Sequence, residues 1–157
     1  MVTSNTTARH IMTRRVITVT PDQDLLEVIG LLIKNKISGA PVVDRNGRYL
    51  GVFSEKSSIS LLMDAAERGT PTNRIESFVD TNAATVTPDT GLWSIAQIFM
   101  TSHYRRLPVI ESGRVIGLIS RRDVLKAAHA LMDPIEPLDS SVLYLSSVGD
   151  RSRAPVA

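Results

Sequence analysis

Two rhythms of apolar and polar residues run along this chain, and the pair of them occurs twice. Leu25, Val28, Ile29, Leu32 and Ile33 follow the i, i+3, i+4, i+7, i+8 spacing that lays one apolar stripe along a helix. Residues 40–43 and 49–54 are short, apolar and β-branched, and predict two strands. Asn46-Gly47 between them is a two-residue hairpin signal. Ahead of the helix, Thr18-Val19-Thr20 reads as a short strand. Pro21-Asp22 then reads as a helix start, because the positive end of the helix dipole favours a carboxylate. Ser54 caps a closing helix expected to run to about Glu67.

The same order returns further along. Thr18-Val19-Thr20-Pro21-Asp22 recurs 67 positions on as Thr85-Val86-Thr87-Pro88-Asp89, and the helical stripe as Leu92, Ile95, Ala96, Phe99 and Met100. Pro41 matches Pro108. A one-residue deletion in the turn, Asp44 to Gly47 against Glu111 to Gly113, shortens the offset to 66. Gly51-Val52-Phe53-Ser54 then aligns with Gly117-Leu118-Ile119-Ser120, and the second closing helix ends near Met132. The chain is therefore α/β, two β-α-β-β-α repeats. One repeat is small for a stable core, so the two sheets are expected to pack together and share one.

The predicted boundaries are 1–68 for the first repeat with its lead-in, 69–74 for a linker of turn formers, 75–133 for the second repeat, and 134–157 for a flexible tail. In that tail Val142 to Leu145 could dock as a strand. Trp93 and Ile98, with Leu26 and Leu31 in the first copy, suggest a second apolar edge. It faces either the other repeat or a dimer partner.

Composition removes several classes of function. Hydrophobic residues make up 43% of the chain, enough for a sizeable core, and cysteine is absent, which excludes disulfides and thiolate chemistry. Met1 to His10 is polar, with no apolar run that could serve as a signal peptide, and no run reaches the roughly 18 apolar residues of a membrane helix. A soluble, cytoplasmic protein without membrane attachment is expected. A net charge of +2 gives little reason to expect a nucleic-acid partner. His10, His103 and His129 stand too far apart for a metal or catalytic pairing and read as surface or interface residues; Met12, Met63, Met100 and Met132 read as core filler. No phosphate loop, nucleophile elbow or carboxylate pair appears, so no enzyme and no catalytic residue is expected.

The repeat resembles the CBS domain, and the chain resembles a stand-alone tandem pair of them, a Bateman module. The likeness rests on the Ile11-Met12-Thr13 lead-in, the Thr-Val-x-Pro opening, Pro-Val in the second strand and Gly-hydrophobic-hydrophobic-Ser in the last, each in order and twice. It covers Ala8 to Met132. The resemblance implies two repeats packed sheet to sheet, with two clefts that in many members bind adenosine nucleotides, and a homodimer.

Gly117-Leu118-Ile119-Ser120-Arg121-Arg122-Asp123 matches the family's Gly-h-h-Ser/Thr-x-x-Asp ligand motif. Ser120 stands where a strand becomes a helix, and free N–H groups there attract phosphate. Asp123 can accept from both ribose hydroxyls, and Arg121 and Arg122 can reach phosphate. The same four-residue spacing is also that of an ordinary capping box, and the two roles are compatible. By resemblance Arg106 lies near the phosphates, with the backbone around Thr85 and the strand at Leu107-Pro108 flanking the base; Tyr104, which opens the same segment, is counted with the site. Arg105, Arg106, Arg121 and Arg122 would form an uncompensated basic patch.

The first copy departs from this pattern. Ser57 replaces the aspartate, Glu55 replaces an arginine, and Ser38-Gly39 stands for Arg105-Arg106. Thr18, Ala40, Pro41, Ser54, Lys56 and Ser57 then define at most a weaker second site. The expected function is regulatory sensing of ATP, ADP or AMP in the second repeat's cleft, with or without Mg²⁺, on behalf of an unknown regulated protein. The alternative is a dimeric scaffold with vestigial clefts.

Overall fold

The computed structural model describes residues 5–69 and 74–132. The elements run α1 (Ala8–Ile11), α2 (Leu25–Asn35), β1 (Gly39–Val43), β2 (Tyr49–Ser54), α3 (Glu55–Arg68), a 3₁₀ turn (Ile75–Phe78), α4 (Leu92–Thr101), β3 (Arg106–Glu111), β4 (Arg114–Ser120) and α5 (Arg121–Met132). β1 pairs antiparallel with β2, and β3 with β4, in two separate sheets. Most of the expected linker and all of the expected tail, Val142 to Leu145 included, lie outside the described residues.

The first strand of each repeat shrinks to one parallel bridge. Val19 donates to the carbonyl of Pro41 at 3.0 Å and accepts from Val43 at 2.9 Å; Val86 does the same between Pro108 and Ile110. Pro21 and Pro88 follow two residues on and leave no N–H with which to extend the ladder. The helices start later than Pro21-Asp22 suggests. Gln23 closes a turn onto Thr20 at 3.2 Å, and the helix cap is Asp24, whose Oδ2 accepts from Leu26 and Glu27. Gly91 caps α4.

The hairpin turns also differ from the sequence reading. Asp44 accepts from Gly47 at 3.0 Å and donates to Arg48 at 2.9 Å, so the first loop has three residues, with Gly47 at φ +81°. This is a turn closed by a left-handed glycine, not a two-residue hairpin. The one-residue deletion turns the second loop into Ser112-Gly113, both at positive φ (51° and 75°), as a tight two-residue turn demands.

Each repeat keeps its own buried cluster, which corrects the expectation of one shared core. Val19, Leu25, Val28, Leu32, Ala40, Val42 and Phe53 pack in the first; Val86, Leu92, Ile95, Phe99, Leu107, Val109, Ile119, Val124 and Ala127 pack in the second. The lead-ins cross over. Ala8 and Met12 belong to the second repeat's cluster, and Ile75 belongs to the first's. Thr13 exchanges two 2.9 Å backbone bonds with Leu118, and Asp80 pairs equivalently with Val52 at 2.9 and 3.1 Å. Each repeat is completed by the segment preceding the other.

Of the predicted stripes, Leu25, Val28 and Leu32 and their counterparts are buried, while Ile33 and Met100 point outward at 72% and 85% exposure. Met63 and Met132 are likewise exposed, so of the four methionines taken for core only Met12 is buried.

Candidate functional site

Two cavities open between the repeats, and the crossing of the chain decides what lines them. The smaller, about 180 Å³, brings Ser120 and Asp123 of the second repeat against Thr13, Arg15, Val16, Ile17, Ile37 and Gly39 of the first, with Arg106 and Leu118 between. The larger, about 550 Å³, brings Ser54 to Ser57 against His103, Tyr104, Arg105 and Arg106, with Asp80, Ala40, Pro41, Val52 and Pro108 on its walls. Gly39, Arg106 and Leu118 border both.

The second repeat's motif is thus divided. Arg106, Ser120 and Asp123 stand together, whereas Tyr104 and Pro108 line the other cavity. Leu107 is fully buried in the core, and Thr85, Arg121 and Arg122 are exposed and border neither. In the first repeat Ala40, Pro41, Ser54, Lys56 and Ser57 line the larger cavity and Thr18 does not.

At the start of α5, Asp123 Oδ2 accepts from the Ser120 amide at 2.8 Å and from its hydroxyl at 2.9 Å; the Asp123 amide donates back to Ser120 Oγ at 3.2 Å. This reciprocal cap fixes the carboxylate and leaves Oδ1 with no hydrogen-bond partner among the described residues. Arg121 is held from the side, its Nε donating to the Tyr104 carbonyl at 3.1 Å. At the start of α3 no carboxylate takes part: Ser54 Oγ accepts from the Ser57 amide at 3.3 Å and lies 3.3 Å from Ser57 Oγ.

The basic patch is not uncompensated. Glu55 Oε1 lies 3.9 Å from Arg105 Nη1, an ion pair that reaches from one repeat to the other beside the larger cavity. There His103 and Tyr104 also stack, with centroids 5.1 Å apart. Near this wall the Tyr49 hydroxyl is shielded from solvent and has no hydrogen-bond partner among the described residues. Burial above all, then the Asp80 carboxylate and Tyr104, push its pKa up to about 12. Among the described residues no group of three His, Asp or Glu side chains gathers as a metal would need.

Arg15, Val16, Ile17 and Ile37, all partners of Asp123 across the smaller cavity, were invisible in the motif because they belong to the opposite repeat. The internal symmetry held the clue. Ile37 and Gly39 are the counterparts, 67 positions earlier, of Tyr104 and Arg106.

A family model described as the CBS domain matches residues 8–57 and 75–130. An uncharacterized protein of Methanocaldococcus jannaschii is 28% identical over 122 residues, 78% of this chain and 42% of its own length. An A-adding tRNA nucleotidyltransferase of Aquifex aeolicus is 32% identical over 61% of this chain, which corresponds to 11% of that enzyme. The chain therefore spans less than half the length of either relative. Among solved structures, CBSX2 of Arabidopsis thaliana in complex with AMP superposes with a TM-score of 0.70, at 27% identity, covering 79% of this chain and 96% of that one.

Proposed function

The chain belongs to the CBS-domain family, and on that premise we propose that it is a regulatory module sensing an adenosine nucleotide in the cleft headed by Ser120 and Asp123. The observation that carries this reading is the state of Asp123. One oxygen is anchored by Ser120, and the other has no partner among the described residues, beside a cleft that also holds Arg15 and Arg106. A carboxylate so oriented suits the paired hydroxyls of a ribose, and the two guanidiniums suit phosphate. The AMP complex of a 27% identical relative supports the choice of ligand class.

At about 180 Å³ the cleft is smaller than the roughly 300 Å³ at which small-molecule sites begin. Arg15, Val16 and Ile17 line it, and withdrawal of their segment would enlarge it. Residues 14–18 make no hydrogen bond to other described residues, so they can withdraw at little enthalpic cost. A ligand that binds one arrangement of this segment better than another shifts the balance between them, and that shift is the signal.

Calorimetric titration with ATP, ADP and AMP, repeated on Asp123→Ala, tests the proposal. Binding of at least one nucleotide, lost in the variant, is expected; at 100-fold excess over Kd it should stabilise the fold by about 2.7 kcal/mol. Silence from all three, or indifference to the substitution, overturns it.

Pairing of two modules is a second element of the proposal. Leu26, Trp93 and Leu125 are more than half exposed on their helices, an apolar display that a second copy could cover. Sedimentation across protein concentration checks this; a monomer at every concentration rejects it.

A further inference from the structure

We infer that two copies of this chain pair antiparallel, the helices of the first repeat in one copy lying against those of the second repeat in the other. This rests on the pairing of modules proposed above and adds which repeat meets which.

The outward faces of the helices carry the unburied apolar side chains. α2 presents Leu26, Gly30 and Ile33 in one line, and α4 presents their counterparts Trp93, Gln97 and Met100; all six are exposed. Gly30 stands in the middle of α2, where glycine is unfavourable relative to alanine. Beyond its own helix, no described residue lies within 4 Å of the place a Cβ would take there. No contact within the described chain therefore calls for a glycine. Bare backbone at the centre of an apolar line forms a dent, and Gln97 fills the equivalent place on α4.

α3 and α5 differ in the same complementary way. Ala66 on the exposed face of α3 corresponds, 66 positions on, to Met132 on α5, and Leu62 corresponds to Ala128. Around a twofold axis, side chains nearest the axis meet their own copies when like repeats face each other. When unlike repeats face each other the local axis is approximate, and the same side chains meet their counterparts. Like pairing sets Gly30 beside Gly30, or Ala66 beside Ala66, and leaves a void. Unlike pairing puts Gln97 or Met132 into the gap.

Charge separates the two arrangements independently. Glu55, Asp64 and Glu67 against Lys56 and Arg68 leave α3 at a formal −1. Arg121, Arg122 and Lys126 against Asp123 alone leave α5 at +2, with His129 neutral. α2 balances Glu27 against Lys34, and α4 carries no charge. Pairing α5 with α5 brings +2 against +2, whereas pairing α5 with α3 brings opposite signs together. Glu67 and Lys126 are exposed on the flanks of the two apolar lines, where such charges meet.

The chain has no cysteine, so introduced cysteines report proximity without background. Full-length Ile33→Cys and Met100→Cys proteins, each checked for folding by circular dichroism, are mixed, left to exchange subunits and treated with a short bismaleimide. A crosslink between residues 33 and 100 is expected, several-fold more abundant than either self-crosslink. In sedimentation equilibrium, Lys126→Glu and Glu67→Lys should each raise the dimer Kd about fivefold, the scale of exposed ion pairs lost twice per dimer. Like pairing predicts the opposite for Lys126→Glu, because it relieves repulsion. Should a cysteine variant fail to fold, the charge variants decide alone. Self-crosslinks without the mixed one, a dimer that yields no crosslink, or a Lys126→Glu dimer as tight as wild type or tighter overturns the inference. The pairing of modules itself fails by a different result, a wild-type monomer at every concentration.

Discussion

The thioether of Met12 fills the space that a side chain at residue 117 would need, so the lead-in seats itself on the bare backbone of Gly117. The counterpart contact is tighter in kind: a Cβ at Gly51 would stand 2.5 Å from the carbonyl oxygen of Asp80. Methionine can move, whereas backbone paired to Val52 cannot without breaking that pairing. Gly117→Ala is expected to cost about 1–3 kcal/mol, and Gly51→Ala more than Gly117→Ala, as overpacking costs run. Urea denaturation of both variants measures the order, and equal losses would refute it.

Tyr49 carries a testable defect. Its hydroxyl is buried without a partner among the described residues, and its pKa is raised from 10.0 to about 12. The folded state thus holds this proton more tightly than the unfolded state does. The associated stability is complete below pH 10 and is lost as pH rises towards 12. Tyr49→Phe should flatten the stability profile between those values. At neutral pH it should gain about 1 kcal/mol, by removing an unsatisfied polar atom. Thermal unfolding at pH 7, 10 and 11.5 checks both statements.

Arg14 and Arg15 lie exposed in the segment that makes no hydrogen bond to other described residues, and trypsin should cut there first among the described residues. If the segment covers the Asp123 cleft, saturating AMP should change the cutting rate several-fold in wild type and leave Asp123→Ala unaffected. Mass spectrometry of the early fragments reads the rate at this site.

Asp24 is the side-chain cap of α2, and Asp24→Ala should destabilise the fold by about 1 kcal/mol. Gly91, which caps α4 without a side chain, provides the control, since Gly91→Ala removes no capping bond. A chemical denaturation series on the two variants separates them.

Much of the fold was legible because its signals are local. A 3.6-residue stripe marks a helix wherever it occurs, and Gly47 and Gly113 mark turns because their φ of +81° and +75° disfavours a side chain. The type of the first turn was misread, because Asn46-Gly47 is compatible with either loop length and the Asp44 side chain settles the matter by accepting from Asn46 and Arg48 at 2.8 and 2.9 Å. The site was only half legible. Ser120 and Asp123 declare themselves by spacing, since residues three apart at a helix start face one another. Their partners Arg15 to Ile17 carry no such spacing, being about a hundred residues away.

By itself, then, the sequence determined a twofold repeat, the helices and strands within each copy, and the inequality of their ligand residues. Those properties follow from periodicity and residue type along one stretch of chain. The tertiary structure decided which stretches complete which repeat, that each repeat keeps a separate core, and that Tyr104 and Arg105 serve the larger cleft instead of the one holding Asp123. Such pairings depend on which surfaces find each other across distant stretches of chain, as Met12 finds Gly117 from 105 residues away and Asp80 finds Val52 from 28. No local pattern encodes that choice.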